Sequence, residues 1–367
     1  MKKEDAASLV VYVLMIGLAL FIGLGIIKPV FEANASVAGN QYVFAIIAVV
    51  VGVVINAILL ELGHILGGLI GKYKIHSVNI FGFCFYKKAG KLHFAFKMFD
   101  GLSGETKFVP KNEKSSPRAA TLMPLVMYLL ELVAAIVLYG LISTGLNVDL
   151  VWLSIGAIIV ASIGGMMVLY NIIPFKLDAM TDGYRLTLFS KKINIEAYNE
   201  LMLAENGEVD FTPRVFEEIT DFTAEVNLIA VYRNIKLKNF LEAEAILQNI
   251  IKNETATSAA THNRAIAQLL YLKIMNEPLE DAKAYHATTS SAVQRFLSND
   301  LSMPALRAYL LIAGLVDASQ GEVAYCLDRK KKAIKYTAPG ISEIENELFN
   351  EALLKVQTAH PDWKMTH

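Results

Sequence analysis

The sequence predicts a mainly α-helical protein: a polytopic membrane helical bundle with a small cytoplasmic-side β-hairpin, followed by an α-helical C-terminal domain. Three observations predict it. Hydrophobic residues make up 54% of the 367 residues and charged residues only 19%, too apolar a balance for a water-soluble domain of this length. Four apolar runs are long enough for a bilayer, which takes roughly 20 such residues. From about residue 194 the pattern turns charged, amphipathic and helical.

The first run, 7–27, reads "ASLVVYVLMIGLALFIGLGII". Ala33 and Ala35 would suit a signal-peptide cleavage site, but the run is longer than a usual signal core, which favours an uncleaved span. The other spans are expected at about 42–70, 119–143 and 150–173. Lys2 and Lys3 precede the first span, lysines from Lys72 to Lys114 crowd the second-to-third connection, and Lys176, Arg185, Lys191 and Lys192 follow the fourth. The two remaining loops hold only Lys28. The positive-inside rule then places both termini and the long connection in the cytoplasm, at the cell membrane. Three segments result: 1–40, a membrane span with an outer loop; 41–193, a membrane core; and 194–367, a cytoplasmic helical domain.

Between the second and third spans, residues of about 76–99 alternate apolar and polar on either side of "KKAGK", which predicts a β-hairpin. "DGLSGETKFVPKNEKSSPR" reads as a polar loop. In the C-terminal domain, "NFLEA" (239–243), "NEPLEDA" (276–282) and "QGEVA" (320–324) each follow one apolar helix and open another. They predict either degenerate helical hairpins of the tetratricopeptide sort or an irregular helical bundle. The net charge of −1 offers no field for nucleic acid, and Cys84 and Cys326 fit neither a disulfide framework nor a cysteine zinc site.

The second span contains "LLELGHILGG", residues 59–68. Glu61 and His64 occupy the last two functional places of a His-Glu-x-x-His zinc helix, in which two imidazoles one turn apart share a metal and the glutamate polarises its water. Leu60 stands where the first histidine belongs. A charged group at membrane depth costs about 2.5–3.5 kcal/mol on insertion scales, so Glu61 calls for a partner or a wet cavity. The fourth span ends in "NIIPFKLDAMTDGYRL", an N-x-x-P…D-G pattern of Asn171, Pro174, Asp182 and Gly183 at the same membrane face.

These two motifs, their order and their spacing resemble the site-2 protease family of intramembrane zinc metalloproteases, in particular the bacterial branch whose second motif reads N-x-x-P-F-K…T-D-G-Y. The resemblance covers roughly 42–190. It implies His64 and Asp182 as metal ligands, Glu61 as general base on a zinc-bound water, and Asn171, with Pro174 and Gly183, on the substrate side. Asp178 is a second nearby carboxylate that lacks the following glycine. Leu60 departs from the pattern. A four-ligand zinc site is worth about 10–16 kcal/mol, so one lost ligand costs about two to three decades in affinity. Zinc is therefore expected to bind weakly or not at all. Asn56, His76 and His93 are poor replacements, and His64 and Asp182 are expected to form a charge cluster with Glu61 in its place. Glu131, in the middle of the third span, is a further membrane-embedded carboxyl expected to face the bundle interior.

The resemblance and the missing ligand together imply a degenerate protease homologue that binds a membrane-associated peptide or protein, with a docking role for the C-terminal helices toward a protein partner or transporter. An active zinc metalloendopeptidase with a non-standard ligand set is the alternative. A transporter or transporter partner is the third, disfavoured by the absence of repeated spans.

Overall fold

The computed structural model describes residues 3–33, 40–88, 91–96, 104–143, 151–174, 180–206 and 211–363. The chain divides into two compact units, Met1–Ile195 and Glu196–His367.

In the first unit, α1 (Lys3–Phe21) continues through a π-helical stretch, Ile22–Ile27, into α2 (Lys28–Ala33). The long helices α3 (Gln41–Ile70), α4 (Arg118–Ser143) and α5 (Val151–Ile172) follow. Four helical stretches are long and apolar enough to cross a membrane: Val10–Ile27, Tyr42–Ile70, Arg118–Leu141 and Trp152–Ile172. Their outer faces carry bare apolar side chains, Ile46 at 66% and Ile136 at 61% exposure, which suits a lipid surround far better than water.

Helix α3 packs on both α4 and α5. Its approach to α4 runs through Gly63 and Gly67, one turn apart. A Cβ at Gly63 would lie 2.6 Å from Pro124 Cα, and one at Gly67 would lie 2.2 Å from the Ala119 carbonyl oxygen. Small residues at this spacing let two backbones touch, the usual way for helices to associate in lipid.

Between α3 and α4 the chain forms a four-stranded antiparallel sheet instead of the single hairpin expected over about 76–99. Its strands are β1 (Tyr73–Ile80), β2 (Phe83–Lys88), β3 (Lys91–Phe96) and β4 (Gly104–Pro110), in the order β3-β2-β1-β4. Two local features account for the difference. Phe81 and Gly82 both have positive φ, 51° and 88°, and Ile80 pairs with Phe83 across them. Two such residues in a row make the tight turn whose twist suits a hairpin, so the expected first strand breaks in two. The stretch read as a polar loop supplies β4, paired with β1 from Tyr73↔Pro110 to Ile80↔Gly104. Its Phe108 is buried against Tyr73, ring centroids 5.4 Å apart. The β2–β3 pairing runs from Phe83↔Phe96 to Lys88↔Lys91.

Beyond α5, Thr181 caps α6 (Asp182–Leu188) by accepting from the Tyr184 N–H. Arg118, at the start of α4, donates from Nε and Nη2 to the Phe189 carbonyl at 2.9 and 2.7 Å. Helix α7 (Lys192–Asn206) follows.

The second unit is helical throughout its described elements: α8 (Asp221–Lys236), α9 (Phe240–Lys252), α10 (Ala259–Asn276), α11 (Leu279–Thr288), α12 (Ser291–Asn299), α13 (Met303–Leu311), α14 (Gln320–Tyr336) and α15 (Pro339–Ala359). The three segments read as helix openers do begin α9, α11 and α14. Packing is not confined to neighbours in sequence, since α13 packs on α10 and α15, and α15 returns to α8. A solenoid of stacked repeats would keep contacts between adjacent repeats, so the arrangement is closer to a closed bundle. Its core holds a buried ion pair, Arg307 with Glu345. Arg307, fully buried, donates to Glu345 and Gln268 and lies over the rings of Tyr232 and Tyr271 at 4.9 and 5.2 Å.

Candidate functional site

Glu61 and His64, three residues apart on α3, share one helix face. Glu61 is 1% exposed. Its Oε2 accepts a hydrogen bond from Thr106 Oγ1 at 2.5 Å, so strand β4 supplies the donor that a buried carboxylate requires.

His64 Nδ1 lies 3.0 Å from the Ala120 carbonyl oxygen. A carbonyl only accepts, so Nδ1 carries the hydrogen and donates it. The other nitrogen, Nε2, faces Asp182 Oδ2 at 3.7 Å. An imidazole held in this way by a backbone carbonyl has the orientation of a metal ligand. It is equally the orientation of an imidazolium paired with a carboxylate.

Asp182 is fixed by a reciprocal clamp. Asn171 Nδ2 donates to its Oδ2 at 2.6 Å, and the Asp182 backbone N–H donates back to Asn171 Oδ1 at 3.1 Å. Arg185 Nη1 stands 3.9 Å from Oδ1. Thr181 Oγ1 donates to the Ile173 carbonyl at 2.7 Å, tying α6 to the end of α5. Gly183 makes the fit possible, because a Cβ there would lie 1.9 Å from the Ile172 carbonyl oxygen. Asp182, Asn171 and Gly183 line a cavity of about 30 Å³ together with Thr121 and Tyr128, enough room for a water molecule.

The chain thus brings together Glu61, His64, Asn171, Asp182 and Gly183 from three helices. Asn171, expected on the substrate side, instead spends both ends of its amide on Asp182. Glu61, expected in a cluster with His64 and Asp182, takes its hydrogen bond from Thr106. Pro174 is exposed just past α5, and Asp178 lies outside the described residues. Glu131 stands apart, beside Asn56 and Gly164. His93 is exposed on β3 and stacks on Tyr86, and His76 sits at the irregularity of β1 between Ile75 and Ser77. Arg185 could have been found by its i,i+3 spacing from Asp182, whereas Thr106 and the Ala120 carbonyl carry no sequence signal that would have marked them. Their role comes from strand and helix placement alone.

A tetrahedral zinc keeps two of its ligand atoms about 3.4 Å apart, so the 3.7 Å between His64 Nε2 and Asp182 Oδ2 suits two ligands of one metal. A third is needed. Among the described residues, no group of three His, Cys, Asp or Glu side chains is placed to hold a metal, and Leu60 occupies the position one residue before Glu61. The residues present therefore supply two of the three protein ligands of a catalytic zinc site, and no zinc-dependent step follows from them.

Compared with known proteins, the chain matches no family model, no curated protein and no solved structure.

Proposed function

We propose that the chain is a site-2-protease-like membrane protein with a degenerate metal site, which binds a membrane-associated peptide or protein without cleaving it efficiently. The observation that carries this reading is the 3.7 Å approach of His64 to Asp182, two motif residues far apart in sequence and joined at one end of a set of apolar helices. A pair of chance motifs would have no reason to converge.

Substrate binding does not need the missing ligand. Strand β4 is an edge of the sheet, and its Thr106 touches Glu61. An extended peptide can add to such an edge through backbone hydrogen bonds, next to the buried carboxylate. The basic residues flanking the spans support an orientation with both termini in the cytoplasm, where the C-terminal helices would dock a protein partner.

The test compares the natural chain with Leu60→His and Glu61→Gln, all purified, by bound zinc and by cleavage of membrane-inserted reporter peptides. The reading expects zinc and cleavage only once the histidine is restored. Cleavage by the natural chain that disappears in Glu61→Gln would favour the active metallopeptidase instead. The orientation of His64, with Nδ1 already engaged by Ala120, is the observation that favours that second reading.

A further inference from the structure

Strand β4 lies along the C-terminal end of α3. The place a Cβ would take on Gly104 is 2.8 Å from Glu61 Cγ, and a Cβ on Gly68 would meet the Phe108 ring. Thr106, between them, reaches Glu61. Side chains of directly paired residues share a sheet face, and one row of pairs runs Thr106, Val78, Phe85, Phe94 across all four strands. The face that touches α3 through β4 therefore continues over β2 and β3. There it is bare: Phe83, Phe85, Leu92, Phe94 and Phe96 lie on it and are 45% to 69% exposed. The rings already touch one another, Phe85 and Phe94 with centroids 5.2 Å apart and Phe83 and Phe96 at 5.8 Å.

The face is graded along its strands. Phe83 and Phe96 pair with each other and, through Ile80, stand level with Gly104 and so with Glu61. Exposed Lys87 and Lys91 stand at the opposite end, level with the end of α3. The span Tyr42–Ile70 holds 29 residues, about 43 Å of helix against a hydrocarbon core of about 30 Å. Glu61 and Lys72 mark the C-terminal end as the one that emerges. The sheet beside that end falls at headgroup level, where water satisfies the unpaired backbone of edge strand β3, as hydrocarbon would not.

Charge says what covers the face. Between residues 71 and 118 the chain carries ten lysines or arginines against three acids. A second copy seated here would bring like charges together, whereas an anionic leaflet attracts them. Aromatic and leucine side chains on one side with lysines at the rim are the composition of an interfacial lipid-binding surface. We propose that the β2–β3 face binds anionic phospholipids of the leaflet that α3 leaves, with the Phe83–Phe96 end at the top of the acyl chains and Lys87 and Lys91 at the headgroup phosphates. The proposal rests on the functional reading above only in taking the apolar helices to cross a bilayer.

Trp152 and Trp363 are the two tryptophans of the chain. The probes are single tryptophans, Leu92→Trp, Phe94→Trp and Phe96→Trp, each in a Trp152→Phe, Trp363→Phe background, in nanodiscs of mixed phosphatidylcholine and phosphatidylglycerol. Lipids brominated on their acyl chains should quench Phe96→Trp most and Leu92→Trp least, and aqueous iodide should do the reverse. Brominated phosphatidylglycerol should reach half quenching at about two- to fivefold lower mole fraction than brominated phosphatidylcholine. Lys87→Gln with Lys91→Gln, or high salt, should remove that preference and leave the depth order intact. Trp152 in a Trp363→Phe chain is the reference for insertion. If no brominated lipid reaches it, the spanning reading falls together with this proposal; a quenched Trp152 beside lipid-insensitive probes sinks this proposal alone. Equal depth at the three positions, a lipid preference that survives loss of both lysines, or protection from iodide only when two copies share a disc, the mark of a second copy on the face, would also overturn it.

Discussion

His64 presents Nε2 to Asp182 Oδ2 at 3.7 Å while its Nδ1 is engaged by the Ala120 carbonyl. Three helices meet in that arrangement: α3 gives the imidazole, α4 the carbonyl that orients it, and α6 the carboxylate. Asn171, at the end of α5, holds the carboxylate in turn.

The clamp predicts the effect of Asn171→Leu. Asp182 would lose its 2.6 Å donor and a partner for its backbone N–H, at a cost of about 1.5–3 kcal/mol for a hydrogen bond to a charged group. The expected result is a lower melting temperature in detergent, together with weaker zinc binding in a Leu60→His background. A variant as stable and as metal-competent as its parent would show that the clamp does nothing.

Gly183→Ala tests the seat of α6. The added Cβ would lie 1.9 Å from the Ile172 carbonyl oxygen, and backbone cannot yield as a side-chain end can. Overpacking of this kind costs about 1–3 kcal/mol, so faster proteolysis around α6 is expected. Gly165→Ala, with open space around it, is the control and should be near neutral.

In the second unit, Arg307→Ala would strand the fully buried Glu345. Breaking a buried ion pair costs about 3–5 kcal/mol, whereas apolar replacement of both partners costs far less. Arg307→Met with Glu345→Leu should therefore recover most of the loss in denaturant melts. Burial already raises the Glu345 carboxyl above its ordinary range, against the pull of Arg307. A raised acid stabilises the fold below its unfolded pKa and loses that contribution as pH rises. The single variant should accordingly suffer more at pH 8 than at pH 4.

His262 sets a pH dependence of the opposite sign. Burial lowers its imidazole below the usual value of 6.5, opposed by Glu254, and its Nδ1 is buried with no partner. A depressed folded pKa means stability that is present above the unfolded value and lost as pH falls through the folded one. Protection of the α10 amides, corrected for intrinsic exchange, should fall between pH 7 and pH 5, and His262→Gln should flatten that change. An unchanged profile in the variant would contradict the assignment.

Much of the membrane part was legible in the sequence because its signals are local. A run of twenty apolar residues reads as a span without knowledge of its neighbours, and the expected boundaries lie close to those of α3, α4 and α5. The pairing of α3 with Asp182 was legible through its two motifs. The sheet was harder. "GETKFVP" has the charge and glycine of a loop, and becomes β4 only because β1 is there to pair with it. The Phe81–Gly82 turn was missed because a phenylalanine rarely takes positive φ. Thr106 and Ala120 matter through where the backbone places them, and no residue pattern announces that.

The most direct test of the account is the zinc content of Leu60→His, measured after dialysis and again with Asp182→Ala added. The account predicts about one retained zinc in the restored chain, a gain of about two to three decades in affinity over the natural one, and its loss when Asp182 is removed. Tight stoichiometric zinc in the natural chain, or retention in the restored chain regardless of Asp182, would contradict it.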